Sequence, residues 1–168
     1  KQKDFWDITK KSLKKAMKFY AIQPTKKKQL LDLYRVLDVF SEVKSTLRYF
    51  KKNNYKVSIL SNGTPGLIKQ LVINNQLNHY IDDIFSIEEV GIYKPDPRVY
   101  EIPIKKYKIL KNEVMFFSSN TWDICGAGHF GYNCVWVNRE QNIFDFLGYT
   151  PKIIIKDLKE VLKRPEFF

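Results

Sequence analysis

Three segments of this 168-residue chain carry side chains that could do chemistry together: Leu-Ser-Asn-Gly at 60–63, Tyr-Lys-Pro-Asp-Pro-Arg-Val-Tyr-Glu at 93–101 and Phe-Ser-Ser-Asn-Thr-Trp-Asp at 117–123. Ser61 and Asn62 offer neutral hydrogen-bonding groups, although with Gly63 they also suit a plain strand-to-helix turn. Asp96 and Pro97 are explained as the N-cap and first residue of a helix, which leaves Lys94 unexplained. A lysine fixed by two prolines is placed for a rigid charge rather than a flexible solvent role. Asp123 supplies a carboxylate, and it also fits a first-turn helix residue that complements the dipole. Tyr100, on the helix after Pro97, equally suits a core position. The three segments together offer a fixed cation, neutral donors and a carboxylate.

The elements that must position these residues follow from hydrophobic spacing. Phe5, Ile8, Leu13, Ala16, Met17 and Tyr20 recur at helical intervals over 4–21, and Pro24 ends the stretch. A second helix is expected over 26–39, and a third opening at Ser41 as its N-cap. From residue 55 short apolar strands at 57–60, 84–87, 114–118, 134–137 and 152–155 alternate with helices at 65–76, from 97, and at 121–130. Pro103 predicts a kink or early end of the helix from 97. The alternation predicts an α/β fold with a doubly wound parallel sheet, in which ligands bind beyond the carboxyl ends of the strands. All three segments lie there.

Composition narrows the class. The chain is 44% hydrophobic and 15% aromatic, which is globular rather than disordered. No apolar run approaches the roughly 18 residues of a membrane span, and the N-terminal residues lack a signal-peptide apolar core, so a cytoplasmic location is expected. The net charge of +11 invites a nucleic-acid reading, but 24 of the 29 basic residues are lysine and five are arginine. Scarce arginine and lysines at solvated helix spacing favour compositional drift over a phosphate-binding site. Cys125 and Cys134 lack metal-ligand spacing and read as reduced, buried thiols rather than a disulfide.

The three segments, in this order, resemble those of the (S)-2-haloacid dehalogenases, a branch of the haloacid dehalogenase (HAD) superfamily. The resemblance runs from Asp4-Phe5-Trp6 to Asp157-Leu158. It implies remaining helices of a cap over 1–40 and a HAD-like, Rossmann-like core over 41–168. It implies that Ser61 binds the substrate carboxylate, Asn62 cradles the departing halide and Trp122 borders it. Lys94 would stabilise the nucleophile carboxylate and the substrate, with Tyr100 carried over as a further substrate-binding residue. Asp123 would order Lys94 and help activate the hydrolytic water, with Ser118 and Asn120 holding that network. In the family a carboxylate attacks the substrate's second carbon, expels halide and leaves an ester that water cleaves. No cofactor is implied. HAD phosphatases usually hold magnesium through a G-D-x-x-x-D pattern; Ser119 stands where the first acid would be, so metal-independent chemistry is expected.

The family's nucleophile-bearing strand lies between the strands that here span 57–60 and 114–118. Asp4, Asp7, Asp32 and Asp38 fall on helical patterns and none ends a buried strand. The central nucleophile strand is therefore expected to be absent from these 168 residues, as is the cap arginine used on the halide, and the chain is expected to be inactive alone. Direct pairing of the two flanking strands would show that the sheet has closed up. The competing readings are a truncated non-catalytic remnant, a metal-dependent HAD phosphatase and a basic binding module. The expected partners are a small 2-haloacid or similar carboxylic acid and either a second copy or a complementing N-terminal fragment, with no nucleic acid and no membrane.

Overall fold

The computed structural model describes residues 4–145 and 147–164; the ends of the two expected segments, residues 1–3 and 165–168, lie outside the described residues. Helix α1 spans Phe5–Phe19 and α2 spans Lys27–Leu33, followed by α3 over Val43–Lys52. The remainder alternates: β1 Ser58–Ser61, α4 Pro65–Asn74, β2 Asp83–Ser86, α5 Pro97–Tyr107, β3 Met115–Ser118, α6 Thr121–Phe130, β4 Asn133–Val137, β5 Ile153–Ile155 and α7 Lys159–Lys163. Five strands and the helices between them fall where the apolar alternation puts them.

Among the described residues every strand pairing is parallel, as the α/β reading requires. β1 runs beside β2 from Ser58↔Asp83 to Ser61↔Ser86. β4 lies between β3 and β5, with Phe116 opposite Cys134 and Val137 opposite Ile155. After Asn133, every residue of β4 is buried, as expected of a parallel strand covered on both faces. The strands form two sheets, β1-β2 and β3-β4-β5, and among the described residues β1 and β3 share no ladder. The sheet has not closed up by direct pairing of these strands. Side chains connect the halves instead: Leu60 of β1 packs against the cluster around Tyr100, Ile124 and Trp136 and against that of Phe85 and Val99.

Three local expectations are corrected. Helix α2 stops at Leu33 because the following backbone is taken by side chains of α4's end. Asn74 Nδ2 donates to the Arg35 carbonyl, and Asn75 bonds both the Leu37 carbonyl and the Val39 N–H. Ser41 is not the cap of α3. It lies in a turn closed by Val43 N–H to Phe40 C=O, and Glu42 takes the cap position with its carboxylate held by Arg139. Of the kink or early end expected at Pro103, the early end does not occur: helix α5 continues to Tyr107. The proline forfeits one backbone bond, while Val99, Tyr100, Ile102 and Pro103 are all buried and hold the helix to the core.

Asp96 caps α5 as its spacing predicts, accepting from Arg98 N–H at 3.0 Å with Pro97 next. Gly131, at φ +111°, ends α6 with its N–H on the Ala127 carbonyl, a left-handed cap that glycine adopts without strain. Cys125 and Cys134 are free and buried. Among the described residues no helix is long and apolar enough to cross a membrane.

Candidate active site

The site is built from the turns after β1 and β2, the start of α5, the end of β3 and the first turn of α6. Its centre is the Asp123 carboxylate. Lys94 Nζ donates to Oδ2 at 3.0 Å, Ser118 Oγ donates to the same oxygen at 3.1 Å, and Tyr100 Oη donates to Oδ1 at 2.8 Å. The Lys94 and Asp123 side chains are only 5% and 7% exposed. Asn120 joins through its backbone N–H, which donates to Ser118 Oγ at 3.1 Å.

The first segment is tied to this centre through the lysine backbone. Lys94 N–H donates to Asn62 Oδ1 at 3.1 Å, which fixes the carboxamide so that its Nδ2 remains a donor. Ser61 Oγ accepts from Gly63 N–H at 3.0 Å, and the Gly63 carbonyl accepts from the buried Ser86 hydroxyl at 2.8 Å. The Ser61 proton is thus not used by that turn. Trp122 lies at the surface, 38% exposed, and contributes no hydrogen bond to the carboxylate.

Burial pushes the Lys94 ammonium below the usual lysine range, and the Asp123 carboxylate opposes that shift. Burial and then the Asp123 charge push the Tyr100 phenol far above its ordinary value, so it stays neutral and donates. The Lys94 Nζ also lies 5.1 Å from the Phe116 ring centroid and 6.0 Å from that of Tyr100. Among the described residues no three His, Cys, Asp or Glu side chains gather as metal ligands.

Three neighbours escaped sequence reasoning. Phe116 stands two residues before Ser118, so both point to one face of β3; that period-two signal was available. Phe5 packs its ring 6.2 Å from Tyr93, bringing the start of α1 to the loop that holds Lys94. Ser86 backs Gly63 from the end of β2. Nothing local in the sequence signals the last two contacts.

Parallel α/β layers with a buried charge network at the strands' carboxyl ends define a doubly wound α/β protein with its site on that edge. The chain belongs to the haloacid dehalogenase-like hydrolase family, whose sequence profile matches residues 2–137. It is 37% identical over 141 residues to the (S)-2-haloacid dehalogenase 4A of Burkholderia cepacia, covering 83% of this chain and 61% of that protein. It is 39% identical over 134 residues to the (S)-2-haloacid dehalogenase of Pseudomonas sp. (strain YL), covering 80% of this chain and 58% of that protein. The chain thus spans about three fifths of the length of these curated relatives, at 61% and 58%. A solved dehalogenase structure superposes with a TM-score of 0.91 at 34% identity, over 96% of this chain and 73% of that one. A solved L-2-haloacid dehalogenase superposes at 0.92 with 27% identity, over 98% and 74%.

Proposed function

We propose that this chain carries the substrate- and water-handling part of a site that hydrolytically dehalogenates small (S)-2-haloacids. The observation that carries the reading is the buried Lys94–Asp123 pair, ringed by Tyr100 and Ser118, beyond the carboxyl ends of β2 and β3. In this reading Lys94 keeps an attacking carboxylate ionised and holds the substrate, while Asp123 sets the ammonium in place and helps activate the water that cleaves the ester. The Ser61 hydroxyl donates a hydrogen bond to the substrate carboxylate. Asn62, its oxygen committed to Lys94 N–H, turns its N–H2 toward the leaving halide. Ser118 and Asn120 hold the Asp123 network, Tyr100 neighbours the bound acid and Trp122 borders the halide.

The attacking aspartate is supplied from outside these 168 residues, in a longer chain or as a complementing N-terminal fragment. The open β1 and β3 ladders support that division. Segment 1–40 acts as part of a cap and 41–168 as the core. Exposed Phe19, Tyr20, Leu33, Val36 and Leu37 on the cap segment support pairing of two copies there. The donor set does not fit a magnesium ion: both Asp123 oxygens already accept from side-chain donors, and Ser119 offers a hydroxyl instead of a second acid. That donor set supports a reaction without a metal. The free, buried thiols support a reducing, cytoplasmic setting.

Titration of 15N-labelled chain with (S)-2-chloropropionate tests the reading. Shifts clustered at Ser61, Asn62, Lys94 and Trp122 are expected; shifts confined to other surfaces, or none at millimolar ligand, count against it.

A further inference from the structure

We propose that Gly126 is a positioning residue of this site: its bare Cα lets the Lys94 loop and the Tyr100 hydroxyl reach the same carboxylate. Gly126 lies three residues after Asp123, on the same face of α6. A Cβ there would stand 2.5 Å from Pro95 Cβ, 2.7 Å from Tyr100 Oη and 3.3 Å from Tyr100 Cε2.

Tyr100 has no room to retreat, and Pro95, although exposed, is tied to the lysine. Tyr100 is fully buried, its ring lies between 5.8 and 6.1 Å from those of Phe116, Phe130 and Tyr132, and its carbonyl accepts from the Tyr132 hydroxyl. Pro95 follows Lys94 directly, so moving it moves the lysine away from Asp123. Glycine inside a helix is otherwise disfavoured against alanine, so helix formation does not account for it. Two other helical glycines serve as internal comparisons. Gly66 in α4 has nothing within 4 Å of the added Cβ, whereas a Cβ at Gly128 would run into the Tyr149 ring.

The proposal rests on the reading of Lys94 and Asp123 as the working pair, but its test reads proton exchange and not turnover, so it can fail while that reading stands. The probe is the 1H–15N correlation of the Lys94 ammonium, assigned by its loss in Lys94→Arg. The chain itself should show a protected ammonium, and Gly126→Ala should exchange at least about tenfold faster, as expected when a buried contact opens locally. Gly66→Ala and Gly128→Ala should keep the protection, even where Gly128→Ala lowers stability. Unchanged protection in Gly126→Ala, equal loosening in Gly128→Ala, or an unprotected ammonium in the unaltered chain overturns the proposal. Should Gly126→Ala not fold, adding Pro95→Gly and Tyr100→Phe removes both atoms the new Cβ meets most closely; stability equal to that of Pro95→Gly with Tyr100→Phe alone supports the steric account, and failure to recover it overturns the proposal.

Discussion

Lys94 Nζ and Asp123 Oδ2 lie 3.0 Å apart with both side chains almost wholly out of solvent, joining the loop after β2 to the first turn of α6. Two charges so buried cost several kcal/mol each to desolvate, so the pair persists only because each charge has its partner and the carboxylate has two further donors, Ser118 and Tyr100. Lys94→Met leaves the Asp123 carboxylate buried beside neutral donors alone. Urea unfolding should show a loss of about 3–5 kcal/mol, more than for an exposed pair such as Lys105–Glu101. A loss under ~1 kcal/mol would contradict the buried-pair description.

Tyr100 separates packing from hydrogen bonding. Tyr100→Phe keeps the ring against Phe116, Phe130 and Tyr132 but leaves Asp123 Oδ1 without its donor, and should cost about 1–3 kcal/mol. Tyr100→Ala also empties the core and should cost about 3–5 kcal/mol. Equal losses from the two, measured by urea midpoints at one slope, would mean that the hydroxyl and not the ring dominates.

Acid sensitivity follows from two other carboxylates. Burial alone would raise Glu42 and Asp82, but Arg139 on Glu42, and Lys51 with the Val57 N–H on Asp82, hold both below their ordinary value. A folded value below the unfolded one gives stability that is complete above the unfolded carboxyl pKa of about 4 and is lost as pH falls through the depressed folded value. The urea midpoint should therefore drop steeply below roughly pH 4, and Glu42→Gln with Asp82→Asn should flatten that drop. An unaltered pH profile in the double variant would rule these two groups out.

The thiols should be silent in the folded chain. Burial raises Cys125 and pushes Cys134 up to about 11, so neither offers thiolate near neutral pH. A disulfide reagent should label both only after denaturant is added. Rapid labelling at pH 7 in the absence of denaturant would show that the α6–β4 layer opens.

Much of this was legible from residue patterns, and the failures share a cause. Asp96-Pro97 marked the start of α5, apolar runs marked all five strands, and Ser118, Lys94, Tyr100 and Asp123 converge as their motifs implied. What remained hidden depends on partners distant in sequence. The end of α2 is set by Asn74 and Asn75, the α3 cap by Arg139, and the place of Phe5 by Tyr93. Gly126 reads locally as a poor helix residue, and only its contacts with Pro95 and Tyr100 give it a role.

Halide release from (S)-2-chloropropionate decides what these residues do with a halide. No release is expected from the 168-residue chain alone, release when an aspartate-bearing strand segment with the early cap helices is supplied, and none when that aspartate is asparagine or Lys94 is alanine. Release by the 168-residue chain alone, or a bound segment that restores none, would contradict this reading of the site.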